Sequence, residues 1–121
     1  MRWYARRDTC DWNVVHSCAV DDEYGFGGLD VDGWTVFDVG AHIGGLGIWL
    51  ASRGATVVCV EPVPENAMMI EASAELNGLS SRIRVVRAAA GRGGVQVVRY
   101  GFAADPLWND RVAADTSLGM L

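Results

Sequence analysis

The chain has 121 residues, 50% of them hydrophobic, with fifteen acids against ten bases and a formal net charge of −5. That length suits one small domain with a core of its own, and the apolar content excludes a disordered chain. Every base is arginine and the isoelectric point is about 4.8, which argues against nucleic acid as a partner.

The first stretch, residues 1–33, reads as a lead-in to the fold. Met1 to Asp8 has no apolar stretch after its arginines, so a signal peptide is not expected and a cytoplasmic protein is. No apolar run reaches the roughly 20 residues of a membrane span. Asp11 to Ala19 is predicted as a short helix capped by Thr9, with Val14, Val15 and Cys18 near one face. The acidic run Asp21-Asp22-Glu23 and the glycines Gly25, Gly27 and Gly28 then form a loop.

Residues 34–91 carry the regular pattern. Thr35 to Val39 is a β-branched and aromatic run, hence a strand broken by Gly40. A helix is predicted from Gly44 to Arg53, stopped by Gly54. Ala55 to Val60 is continuously apolar, as suits a parallel strand buried on both faces. Pro62 and Pro64 end it, and Pro64 starts a helix that runs to Asn77 and stops at Gly78. Arg82 to Arg87 reads as a third strand. The alternation is that of an α/β, Rossmann-like, doubly wound and mostly parallel sheet. In residues 92–121 one further strand, Val95 to Tyr100, is expected to run antiparallel, and the rest has no clear period. About four strands are placed, so the sheet is expected to be incomplete.

Two features in register carry the chemistry. Asp38-Val39-Gly40-Ala41-His42-Ile43-Gly44-Gly45 ends a strand and opens a helix. Ligands of open parallel sheets bind at such carboxyl ends. Gly40 lets the backbone turn sharply, Gly44 lets the helix start approach a ligand, and the free N–H groups there can hold a carboxylate. Glu61 ends the next strand, roughly 20 residues past the glycine turn, where an acid reads a ribose hydroxyl pair. The glycine spacing is not G-x-G-x-x-G, and a phosphate-binding P-loop needs a lysine the chain lacks. S-adenosylmethionine suits the pattern: its ribose meets Glu61, its carboxylate the backbone donors, and its ammonium Asp38, directly or through water. A plain strand-to-helix turn with structural glycines, and an exposed acid at a loop start, are the structural alternatives.

Residues 36–44 resemble motif I of class I S-adenosylmethionine-dependent methyltransferases, and more narrowly the FkbM-like methyltransferases. Glu61-Pro62-Val63-Pro64-Glu65-Asn66 is similar to that family's E-P-x-P-x-N segment, and Leu76-Asn77-Gly78 to its L-N-G helix end. Arg7-x-Thr9-x-Asp11 and Glu23-Tyr24 resemble its upstream signals, so the likeness covers about Arg7 to Gly91. The resemblance implies methyl transfer to a hydroxyl or similar nucleophile of a small-molecule or saccharide acceptor. It implies that Asp38, Gly40, Ala41, His42 and Gly44 line the methionine end, that Glu61 holds the ribose and that Pro62 shapes the adenine side. Ala89 would lie near the adenine edge, and Tyr24 would close over the cofactor.

The family's later acidic I-D-V-E-G-like motif is absent, and Asp105, Asp110 and Asp115 sit in no such context. A catalytically incomplete cofactor-binding module is therefore the alternative, with a nicotinamide-dependent oxidoreductase a third. No catalytic base is assigned; His42 suits loop shaping or cofactor lining better than that role. Cys10, His16 and Cys18 match no common zinc spacing. Trp34 and Trp49 are expected in the core, and Cys59 as a buried reduced thiol. A half-sheet would expose an edge strand and an apolar face, so a homo-oligomer or a missing C-terminal half is expected to cover it.

Overall fold

The computed structural model describes residues 1–91 and, as backbone, the short strands 99–101 and 111–113. The strands of the central stretch form where the apolar runs place them. β1 (Thr35–Val39), β2 (Thr56–Val60) and β3 (Ile83–Val86) make a parallel sheet in the order β1-β2-β3. Phe37 pairs with Val58 and Val58 with Arg84, so the sheet ends level at Val39, Val60 and Val86. β4 (Arg99–Gly101) pairs antiparallel with β5 (Arg111–Ala113). The end of the strand expected at Val95 to Tyr100 falls in β4, and its residues 95–98 lie outside the described residues, as do Trp108, Asp105, Asp110 and Asp115.

Helices α1 (Asp11–Ala19), α2 (Gly45–Ser52) and α3 (Pro64–Leu76) supply the other layer. α2 is apolar all round because it is enclosed, with α1, β2 and α3 against it and Ile48, Leu50 and Ala51 buried. Val57 and Cys59 of β2 face it and are buried. On the opposite face Phe37 and Val39 are 69% and 58% exposed. Among the described residues the helices thus cover one face of a sheet whose strands are apolar on both.

Local chemistry sets the helix ends. Pro64 takes the first turn of α3, as expected. At its other end Gly78 has φ +68°, its N–H donates to the Glu75 carbonyl, and the Leu79 N–H donates to the Ala74 carbonyl. That is a Schellman closure, and it gives the Leu76-Asn77-Gly78-Leu79 run a backbone reason. Thr9 is not the cap of α1. Cys10 occupies that position without a side-chain bond, and the Thr9 hydroxyl instead accepts the Asp11 N–H at 3.2 Å and donates to the Arg6 carbonyl.

Two side-chain readings change. Trp34 stands 43% exposed at the edge of β1 rather than in the core, since it precedes a strand with no described neighbour on that side. Trp49 does pack against the core, with the Arg53 guanidinium 5.0 Å above its ring. Cys59 is a buried free thiol, pushed up to about 12 by burial and by the Asp38 charge.

Candidate functional site

The expected loop forms at the carboxyl ends of the strands. The N–H groups of Gly40 and Ala41 both donate to the Val60 carbonyl, at 2.8 and 3.2 Å, which turns the chain across the end of β2. The Gly44 N–H closes the loop onto the Ala41 carbonyl at 2.8 Å. Gly40, His42 and Gly44 all have positive φ, +81°, +52° and +83°. A side chain at 42 in that region is unusual and is held there by its surroundings.

The glycines divide by what stands opposite them. A Cβ at Gly40 would meet nothing within 4 Å, so this turn faces open space. A Cβ at Gly44 would lie 3.1 Å from Ile70 Cγ1 and 3.3 Å from Ile48 Cγ1. Gly44 therefore stands where α2 and α3 pack. Gly45 stands in the same way against Val15 and Cys18 of α1, and Gly47 against Cys59 and Asp38.

Glu61 is not an exposed acid at a loop start: it is 4% exposed. Its Oε2 accepts the His42 N–H at 2.9 Å, and its Oε1 accepts the Val63 N–H at 2.9 Å and the Asn66 amide at 3.4 Å. A carboxylate has about four acceptor directions, so one remains for a ligand hydroxyl. The residue's first role is to tie the β1–α2 loop to the start of α3.

Asp38 points to the helix side of the sheet, beside Gly47 and Cys59. Its Oδ2 is buried with no partner among the described residues, and the nearby Gly47 N–H favours its ionised form. Burial raises its pKa above the ordinary carboxylate range, and the Glu61 charge adds to this. Among the described residues no cation is paired with it. Tyr24 is 57% exposed, and its phenol is raised by partial burial and by Cys18, Glu23 and Asp38 in that order. Pro62 is half-buried beside Glu61, whereas Ala89 is exposed in the segment after β3, across β2 from the loop.

Sequence patterns pointed to Arg7, but Arg6 does the binding. Its N–H and Nε donate to Asp11 Oδ2 at 2.8 and 3.0 Å, and its Nη2 donates to Asp11 Oδ1 at 2.9 Å and to Asn66 Oδ1 at 2.8 Å. Asp11 is fully buried; burial alone would raise its pKa, and the Arg6 bonds and charge outweigh that and hold it below the ordinary value. His42 Nε2 lies 3.5 Å from Asp11 Oδ1. Donor atoms of Cys10, Asp11 and His42 fall within 4.8 Å of one another, a ligand-like grouping. The cation that meets Asp11 there is the Arg6 guanidinium.

No protein-family model and no curated protein matches the sequence. Solved structures do match the fold. A Methanococcus maripaludis chain assigned as an S-adenosyl-L-methionine-dependent methyltransferase superposes with TM-score 0.54 at 14% identity, over 79% of this chain and 49% of that one. A transferase assignment from Pyrococcus horikoshii gives 0.52 at 22%, over 59% and 28%. An RNA methyltransferase assignment from the same organism gives 0.50 at 22%, over 78% and 45%. The fold is thus an incomplete Rossmann-like α/β sheet of the kind methyltransferases use. The chain spans half or less of the length of these structures. No helix among the described residues is long and apolar enough to cross a membrane.

Proposed function

We propose that the loop and strand ends bind S-adenosylmethionine, and that the chain is the cofactor-binding part of a methyltransferase. The observation that carries this is Asp38: a buried acceptor with no partner, beside a turn at Gly40 that opens to space at the carboxyl end of a parallel strand. A buried oxygen without a donor is costly, and a ligand ammonium, directly or through water, would satisfy it. Ala41 and His42 belong to the same loop and would flank the methionine end. Glu61 keeps one acceptor direction for a ribose hydroxyl, and the exposed Tyr24 is the group that the family resemblance would close over the cofactor.

Methyl transfer from a sulfonium is an in-line displacement, so binding and orientation are the protein's main part. The finer reading, an FkbM-like enzyme acting on a hydroxyl of a small molecule or saccharide, is supported by the E-P-x-P-x-N and L-N-G segments. A second reading is a module that binds the cofactor without turnover.

Isothermal titration with S-adenosylhomocysteine tests the binding claim. Binding that Asp38→Asn weakens about tenfold, or ~1.4 kcal/mol, is expected. No heat at millimolar ligand, or binding of a nicotinamide dinucleotide instead, would sink it. Turnover on a panel of hydroxylated acceptors separates the enzyme from the binding module.

A further inference from the structure

The segment before α1 is laid along α3 from end to end. Asn77, at the carboxyl cap of α3, accepts the Arg2 N–H at 2.9 Å through Oδ1 and donates to the Arg2 carbonyl at 2.6 Å. The Tyr4 N–H donates to Ser73 Oγ at 3.0 Å, and Arg6 reaches Asn66 in the first turn. Asn66, Ser73 and Asn77 recur at helical spacing, so they form one polar stripe on an otherwise apolar face. Ser73 and Asn66 are fully buried beneath it. Backbone groups bonded to buried side chains fix both the register and the direction of the segment.

That register delivers the strap to the site. The Trp3 indole donates to the Gly44 carbonyl at 3.4 Å, at the last residue of the loop. Arg6 then closes a ring of contacts. It forks onto Asp11, Asp11 faces the His42 imidazole, the His42 N–H is held by Glu61, Glu61 takes the Asn66 amide, and Asn66 accepts from Arg6. The ring joins the strap, α1, the β1–α2 loop, the end of β2 and the start of α3. His42 has a backbone conformation an L-residue rarely adopts; its N–H is held by Glu61, and its imidazole packs with Nε2 3.5 Å from the Asp11 carboxylate.

We infer that residues 2–6 are a positioning strap for the β1–α2 loop, with Arg6 the positioning residue that acts through Asp11 and His42. This rests on the reading of that loop as the cofactor site. Arg6 is bonded to Asp11 and Asn66. It decides whether the loop is already in its binding conformation, and preorganisation of that kind appears in affinity.

Arg6→Lys keeps the charge and loses the fork. Amide hydrogen exchange on the full chain reads the loop directly. Protection of the His42 N–H should fall about tenfold, while the Val57 and Glu61 N–H groups, bonded across β2 and β3, stay within about twofold. The dissociation constant for S-adenosylhomocysteine should rise about tenfold in parallel. An unchanged His42 amide, a loss shared equally by the β2 amides, or a loosened loop with unchanged affinity each overturns the inference. Should Arg6→Lys fail to fold, the paired replacement Arg6→Met with Asp11→Leu removes both charges together and is read in the same way. If the unaltered chain binds no S-adenosylhomocysteine, the cofactor reading fails, and the His42 exchange alone still decides whether the strap holds the loop.

Discussion

Gly40 and Gly44 have nearly the same backbone conformation, φ +81° and +83°, yet replacing each with alanine should have opposite consequences. Forcing an L-residue into that region destabilises by about 1–2 kcal/mol at either position. At Gly40 nothing more is added, because the new methyl meets no atom within 4 Å. At Gly44 the methyl lies 3.1 Å and 3.3 Å from two carbons of Ile70 and 3.3 Å from Ile48, so these side chains must give by a few tenths of an ångström between α2 and α3. Overpacking of that sort adds about 1–3 kcal/mol. With a urea m value near 1 kcal/mol/M, Gly44→Ala should unfold at a midpoint roughly 1 M or more below Gly40→Ala. Titration with S-adenosylhomocysteine should rank them the other way, with Gly40→Ala weakened about tenfold or more by a methyl in the space the ligand would use. Equal urea midpoints would refute the packing argument. Full affinity in Gly40→Ala would refute the placing of the site.

Glu61→Gln should destabilise the fold by about 1–3 kcal/mol, because an amide N–H₂ must then face the His42 or the Val63 N–H; chemical denaturation measures it, and a neutral result would mean those bonds are not held. Asp38 has a raised pKa, so its protonated form stabilises the fold: that contribution is complete below the ordinary carboxylate range and is lost as pH rises through the raised value. Binding of an ammonium-bearing ligand has the opposite sign, strengthening as pH rises through the same value and releasing a proton there, which calorimetry in buffers of different ionisation heat detects. Asp11 is lowered, so its contribution is complete above the ordinary carboxylate range and is lost as pH falls through its lowered value. In the folded chain iodoacetamide at pH 8 should label Cys10 but spare Cys18 and Cys59, which are buried and pushed up to about 11 and about 12 mainly by burial; mass spectrometry of the labelled chain reads this.

The elements of the core are local matters, and the amino-acid order determines them. Thr35 to Val39 and Thr56 to Val60 are short β-branched and apolar runs, which suit parallel strands, and Pro64 and Gly78 mark a helix at its two ends. The loop after β1 was legible for the same reason, since a glycine must stand where the chain turns at φ +81°. What each loop residue does was not legible, because that depends on atoms distant in sequence. Gly44 packs against Ile70, and Glu61 is held by the His42 N–H, partners that no spacing rule connects. Arg6 and Arg7 are indistinguishable as neighbours in a string. Only the path of the strap along Asn77, Ser73 and Asn66 decides that Arg6 meets Asp11 while Arg7 is left exposed. Sequence thus determined where the glycine loop after β1 forms, through backbone preference. Tertiary packing decided which side chains hold it in shape, because a buried carboxylate takes its partners from whatever the fold brings within about 3 Å.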